Sequence, residues 1–199
     1  MSKTVEFYFD FGSPNAYLAH HALKGVLERT GAQLEYKPVL LGGIFKATNN
    51  QPPMMAFANV KGKMAYEKLE FERFVKKHKL SNFTFNSRFP VNTLLMMRAA
   101  MVAQRDGYLD AYIAAGLKAL WEDDQNMADP EVFAAVMTQA GFDGSALVSA
   151  TQDDVVKSAL VAATAEAVAR GVFGIPTFFV GDEMFFGKER LGQVEEELS

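Results

Sequence analysis

The sequence predicts an α/β fold: one small mixed sheet flanked by helices, built from the two ends of the chain and interrupted by a large all-helical insertion. Three observations lead to it. A β-α-β pattern fills the first 40 residues, no convincing strand occurs from residue 41 to residue 170, and a β-β-α pattern closes the chain. Residues 1–40 and 171–199 then form one discontinuous domain, with 41–170 as the insertion.

Each element has its own signal. Val5-Glu6-Phe7-Tyr8-Phe9-Asp10-Phe11 is dense in aromatic and β-branched residues and reads as a buried strand. Ser13 is a good helix N-cap, and Pro14 suits the first helical position. The stripe Tyr17, Leu18, His21, Leu23, Val26 and Leu27 follows and stops at Gly31. A second strand runs from Leu34 to Val39, and such a β-α-β unit implies a parallel pair with a right-handed crossover. Gly42-Gly43 and Asn49-Asn50-Gln51-Pro52-Pro53 read as loop or turn. Helical patterns occupy residues 61–79, 92–105 and 108–122. Asp129-Pro130 opens another helix, closed by Gly141, and a short helical turn at 145–149 precedes a long helix from 152 to 170. Thr177–Val180 and Glu183–Phe186 flank Gly181-Asp182, a two-residue hairpin signal. An acidic amphipathic helix, residues 188–198, ends the chain.

Composition narrows the function classes. The 199 residues can bury one substantial core, and 49% hydrophobic with 22% charged residues is ordinary for a soluble protein. A net charge of −4 and the lack of any Lys/Arg-rich run leave a nucleic-acid role little support. No apolar run approaches the ~20 residues of a membrane span, and the N-terminus lacks a secretory pattern, so the cytoplasm is the expected compartment. With no cysteine, the chain has no disulfide, thiolate metal ligand or thiol nucleophile of its own. His20 and His21 are neighbours on a predicted helix and point apart; with His78 they make a poor metal set, and no metal is expected.

Two places carry chemistry. Gly174-Ile175-Pro176-Thr177 stands directly before a strand. Taken alone, Pro176 reads as a trans proline that starts the strand, since cis is a minority state even for X–Pro bonds. In its β-α-β/β-β-α setting it resembles the cis-proline of thioredoxin-like proteins, which leaves the backbone N–H and C=O of the preceding residue free for an extended peptide. Ser13 also has two readings. It is an N-cap worth ~1 kcal/mol, or it is a hydroxyl at a helix N-terminus that stabilises a thiolate brought by a ligand. Ser13-Pro14-Asn15-Ala16 stands where a redox thioredoxin would carry its two cysteines.

Phe9-Asp10-Phe11-Gly12-Ser13-Pro14-Asn15-Ala16-Tyr17-Leu18, Leu41-Gly42-Gly43-Ile44-Phe45-Lys46, and the tail from Gly174 to Gly187 together resemble the 2-hydroxychromene-2-carboxylate isomerase family. That family is related to kappa-class glutathione transferases within the DsbA-like branch of thioredoxin folds. The similarity runs over essentially the whole chain. It implies a cytoplasmic homodimer with glutathione as cofactor and a small aromatic keto acid as substrate. Reversible thiolate addition would interconvert 2-hydroxychromene-2-carboxylate and trans-o-hydroxybenzylidenepyruvate. By the same resemblance Ser13 would hydrogen-bond the glutathione sulfur, and Ile175 with Pro176 would pair with its cysteinyl part. Asn50 would contact the tripeptide and Lys61 its glycyl carboxylate, Lys188 and Glu189 would hold its γ-glutamyl end, and Phe186 and Gly187 would complete the glutathione-binding residues. The family more usually has a small polar residue and an aspartate where this chain has Lys188 and Glu189; without the resemblance, these two read as a solvated helix start. Phe45, Lys46, Arg88, Phe89 and Asn92 are the nearest substrate-binding residues, whereas Met96, Met97 and Trp121 read as core. A kappa-like transferase that consumes glutathione and a non-catalytic peptide-binding module remain as alternatives.

Overall fold

A computed structural model of the chain describes residues 3–199. β1 (Thr4–Phe9), α1 (Pro14–Thr30) and β2 (Gln33–Pro38) form the first unit. β1 and β2 run parallel, with Phe7 opposite Tyr36. β3 (Thr177–Val180) and β4 (Glu183–Phe186) form a hairpin in which Val180 pairs with Glu183 across Gly181-Asp182. β3 lies antiparallel beside β1, giving the sheet order β2-β1-β3-β4. The two central strands carry the fully buried rings of Phe7 and Phe178, 4.8 Å apart. That placement accounts for the aromatic density of both sequence runs.

The inserted helices are α2 (Leu41–Thr48), α3 (Pro53–Ala56), α4 (Lys63–Lys77), α5 (Leu94–Arg105), α6 (Leu109–Trp121), α7 (Pro130–Gln139), α8 (Gly144–Ala150) and α9 (Asp154–Ala169). A 3-10 turn (Lys188–Arg190) leads into α10 (Leu191–Leu198). α1 packs on α10; α5 packs on α9, and both meet β2. One continuous apolar core therefore runs through the sheet and the inserted helices, with Met96, Met97 and Trp121 fully buried in it. No helix of the described residues is long and apolar enough to cross a membrane.

The structure departs from the sequence reading at three elements. β1 ends at Phe9 because the Asp10 carbonyl accepts the Ser13 N–H at 3.1 Å, turning the chain before the expected strand is complete. α2 and α3 stand where turn residues predicted loop. The start of α2 is held from outside: Leu40 N–H donates to Thr164 Oγ1 at 3.0 Å, and Leu41 N–H donates to Asp10 Oδ2 at 2.8 Å. These distant acceptors take donors that a local capping side chain would satisfy in an autonomous helix, and they offset the poor propensity of Gly42-Gly43. The last helix begins as a 3-10 turn at Lys188 and becomes α-helical at Leu191.

One packing contact has a sharp test. A Cβ on Gly144 would stand 2.0 Å from the Ala134 carbonyl oxygen, where α8 presses against α7. Main chain cannot rotate away as a side chain can, so Gly144→Ala is expected to destabilise the fold by about 3 kcal/mol, the upper end for overpacking. Chemical denaturation of the two proteins measures it; a change below ~1 kcal/mol would show that the α7–α8 contact yields freely.

Candidate functional site

The site forms where the N-terminus of α1 meets the turn before β3. Ser13 has an extended backbone (φ −94°, ψ 112°) and is only 5% exposed. Its Oγ accepts the Ala16 N–H at 3.2 Å, so the N-cap expected from sequence is present. The same hydroxyl donates to the Ile175 carbonyl at 3.3 Å, joining residues 162 positions apart. The Ile175–Pro176 peptide is cis, as its setting predicts. The Ile175 carbonyl is not free as expected, however: the Ser13 hydroxyl occupies it, through a long bond. Among the described residues, the N–H groups of Asn15 and Ile175 have no acceptor. The Ser13 hydroxyl and the unpaired Asn15 N–H thus stand at the positive end of a 17-residue helix, and that hydroxyl reaches the residue that carries the unpaired Ile175 N–H. Such a region can hold an anion, a thiolate included.

The turn before β3 is tied on both sides. Asn50 Nδ2 donates to the Phe173 carbonyl at 2.8 Å, while its Oδ1 accepts the Gln51 N–H, so its amide braces the α2–α3 connection against the turn. Gly187 N–H donates to the Pro176 carbonyl at 2.9 Å, which fixes the end of β4 beside the cis-proline. The rings of Phe186 and Phe173 lie 4.6 Å apart at the surface, and Phe186 covers Gly174, where a Cβ would stand 2.8 Å from its ring.

Lys188 differs from a solvated helix start. It is 5% exposed, pairs with the carboxylate of Glu189, and places its ammonium 5.2 Å from the Phe74 ring centre of α4. Glu189 itself is exposed. Lys61 lies exposed in the turn before α4 and has no hydrogen-bond or ion-pair partner among the described residues.

The residues assigned to the substrate side are dispersed over three segments. Phe45 is half-buried on α2, with Lys46 exposed next to it. Arg88 is exposed and bonded only locally, its N–H to Asn86 Oδ1 at 3.0 Å and its guanidinium to Ser87 Oγ at 3.4 Å. Phe89, which precedes a second cis-proline, packs 6.0 Å from Trp121. Asn92 uses its Oδ1 to cap α5 through the Leu94 N–H at 3.0 Å.

One residue that the sequence reading passed over joins these segments. Asp10 is 1% exposed, and its carboxylate accepts from the Gly12 N–H at 2.8 Å, the Leu41 N–H at 2.8 Å and the Thr93 hydroxyl at 2.6 Å. Burial pushes its pKa above the usual carboxylate value, and the three donors oppose that shift. The Ser13 turn, the start of α2 and the start of α5 therefore share one buried carboxyl group. Its sequence signal was a lone charge inside an apolar strand run, Phe7-Tyr8-Phe9-Asp10-Phe11. Trp121 adds another tie by donating its indole N–H to the Phe11 carbonyl at 2.9 Å. Two surface depressions, lined by residues such as Arg105, Tyr108 and Phe142, lie around the C-terminal end of α5. That is roughly 18 Å along the helix from Thr93, and they include none of the residues discussed here.

A four-stranded mixed sheet, a helix N-terminus facing a cis-proline, and an inserted helical block define a thioredoxin-type protein of the DsbA kind. The DSBA-like thioredoxin domain matches residues 4–199. The chain is 30% identical over 198 residues to 2-hydroxychromene-2-carboxylate isomerase of Sphingobium xenophagum, covering 100% of this chain and 99% of that protein. It is 24% identical to glutathione S-transferase kappa 1 of Rattus norvegicus, covering 95% and 88% of the two chains. A solved structure of 2-hydroxychromene-2-carboxylate isomerase superposes with a TM-score of 0.83 at 27% identity, over 97% of this chain and 93% of that one. The chain belongs to the DSBA-like thioredoxin family and, within it, to the group of the 2-hydroxychromene-2-carboxylate isomerases.

Proposed function

We propose that this protein is a glutathione-dependent isomerase acting on 2-hydroxychromene-2-carboxylate or a closely related aromatic keto acid. The observation that carries the reading is the Ser13–Ile175 contact in a chain without cysteine: it joins the helix start and the cis-proline turn of a thioredoxin-type site, where a thiol would have to come from a ligand. The residues present fit such a ligand, because the Asn15 and Ile175 N–H groups and the Ser13 hydroxyl supply donors to an anionic sulfur and a peptide carbonyl. Bound glutathione would supply a thiolate that adds reversibly to the electron-poor double bond, so that rotation and elimination return the other isomer.

The chain's own part is binding and electrostatics. Ser13 turns its hydroxyl from the Ile175 carbonyl to the sulfur, which frees that carbonyl to accept the ligand's cysteinyl N–H. The Ile175 N–H donates to the ligand's backbone, and the N-terminus of α1 favours the charged sulfur. By the resemblance, Phe45 and Phe89 would offer apolar wall, and Lys46 or Arg88 an exposed cation for the substrate carboxylate. The turnover is redox-neutral and leaves glutathione unconsumed.

The test is an absorbance assay of chromene isomerisation with and without glutathione, with glutathione assayed at the end. Isomerisation that requires glutathione and leaves its concentration unchanged is the expected result. Stoichiometric loss of the thiol would mean a conjugating transferase, and peptide binding indifferent to glutathione would mean a non-catalytic module.

A further inference from the structure

Thr93 stands at the N-cap position of α5, yet its hydroxyl does not cap that helix. Its backbone (φ −97°, ψ 9°) is not the extended one of a capping residue, and the Leu94 N–H turns to Asn92 Oδ1 instead. The hydroxyl donates to Asp10 Oδ1 at 2.6 Å, a contact between residues 83 positions apart. A threonine that capped α5 would add about 1 kcal/mol to it. That local gain is forgone, and a broken local rule marks a place where another requirement dominates.

The requirement is legible in what Thr93 touches. Asp10 Oδ1 accepts the Gly12 N–H at 2.8 Å as well as the Thr93 hydroxyl, and the Asp10 carbonyl accepts the Ser13 N–H at 3.1 Å. One side-chain turn and one backbone turn thus set the path from β1 into α1. Thr93 also lies against that path: a Cβ on Gly12 would stand 3.3 Å from its methyl carbon. The path ends at Ser13, whose hydroxyl reaches the Ile175 carbonyl at 3.3 Å, a long bond that a small shift of the turn would break. We propose that Thr93 is a positioning residue: through Asp10 it holds the Asp10–Ser13 turn in the geometry that aims the Ser13 hydroxyl at the cis-proline turn. Its effect on a bound thiolate rests on the glutathione reading above; its effect on Ser13 does not.

Thr93→Val keeps the shape and removes the donor, whereas Thr93→Ser keeps the donor and removes the methyl group. Amide hydrogen exchange on the full-length, ligand-free proteins reads the turn at Gly12, Ser13 and Ala16, whose N–H groups bond to Asp10 Oδ1, the Asp10 carbonyl and Ser13 Oγ. In Thr93→Val these three should exchange about tenfold faster or more, after correction for any change at the Val194 N–H on α10. Thr93→Ser should return them to within roughly threefold of wild type. With glutathione bound, the thiol pKa should rise by about 1 unit in Thr93→Val and stay within ~0.3 units of wild type in Thr93→Ser. A lower melting temperature for Thr93→Val, with all three amides and the thiol pKa unmoved, would overturn the proposal and leave Thr93 a packing residue. Loosened amides beside an unmoved thiol pKa would confine Thr93 to the fold of the turn and overturn its part in the site. If wild type binds no glutathione, that reading fails, and the exchange comparison alone then decides whether Thr93 positions Ser13. Thr93→Ala also removes the donor and supplies the same comparison if Thr93→Val folds poorly.

Discussion

Ser13→Ala is expected to raise the pKa of the bound glutathione thiol by about 1–2 units, since one charge-assisted hydrogen bond to the thiolate is lost. At neutral pH the thiolate fraction falls accordingly, and kcat/KM for isomerisation should drop by roughly 10–100-fold. The residue has a second role that has to be separated from the first. Its Oγ caps α1 through Ala16 N–H, so the same substitution removes about 1 kcal/mol of helix stability. Ser13→Gly distinguishes the two. Glycine is tolerated at an N-cap at a loss of only a few tenths of a kcal/mol, but it supplies no hydroxyl. The two variants should therefore share the shifted thiol pKa, followed by thiolate ultraviolet absorbance as pH is varied, and differ in melting temperature. Unchanged thiol pKa in both variants would mean that the helix N-terminus and the Asn15 and Ile175 N–H groups hold the sulfur by themselves. Ser13 would then be a cap and nothing more.

That double role explains what could be seen in the sequence and what could not. The cap, the proline at the first helical position, the two-residue hairpin and the aromatic strands obey local rules, so β1, α1 and the β3–β4 hairpin were legible from residue types alone. α2 was not, because its first donors are satisfied by Thr164 and Asp10, residues far away in sequence whose role no local pattern encodes. The cis state of Ile175–Pro176 was legible from its setting, whereas that of Phe89–Pro90 carried no comparable context. For the site, residue identity pointed to Ser13 and Ile175, and folding places their side chain and carbonyl in contact. The burial of Lys188 was hidden, since its cover comes from Phe74 on an inserted helix. The tie from Asp10 to the start of α2 and to Thr93 has the same origin, since Leu41 and Thr93 are related to it only through tertiary structure.

Removing Asp10 should have the largest effect on stability. Asp10→Ala leaves the Gly12 N–H, the Leu41 N–H and the Thr93 hydroxyl without their acceptor in a buried place, and the expected loss is about 3–5 kcal/mol. Asp10→Asn keeps the shape and one acceptor oxygen, so about 1–2 kcal/mol is expected. The pH dependence sets a stricter test. Burial raises the Asp10 pKa in the folded protein above its ordinary 3.8. The proton is then held more tightly folded than unfolded, so this group's contribution to stability is fully present below pH 3.8 and is lost as pH rises through the folded pKa. Asparagine does not titrate. The stability gap between wild type and Asp10→Asn should therefore be widest in acid and narrow as pH rises above 3.8. Denaturant melts of the two proteins across that range measure the gap directly. A gap that widens with rising pH would mean that the three donors outweigh desolvation and hold the carboxyl below its ordinary value. The Ser13 turn, α2 and α5 would then be anchored by a carboxylate that stays ionised throughout, and the loss on Asp10→Ala at neutral pH would approach the upper end of its range.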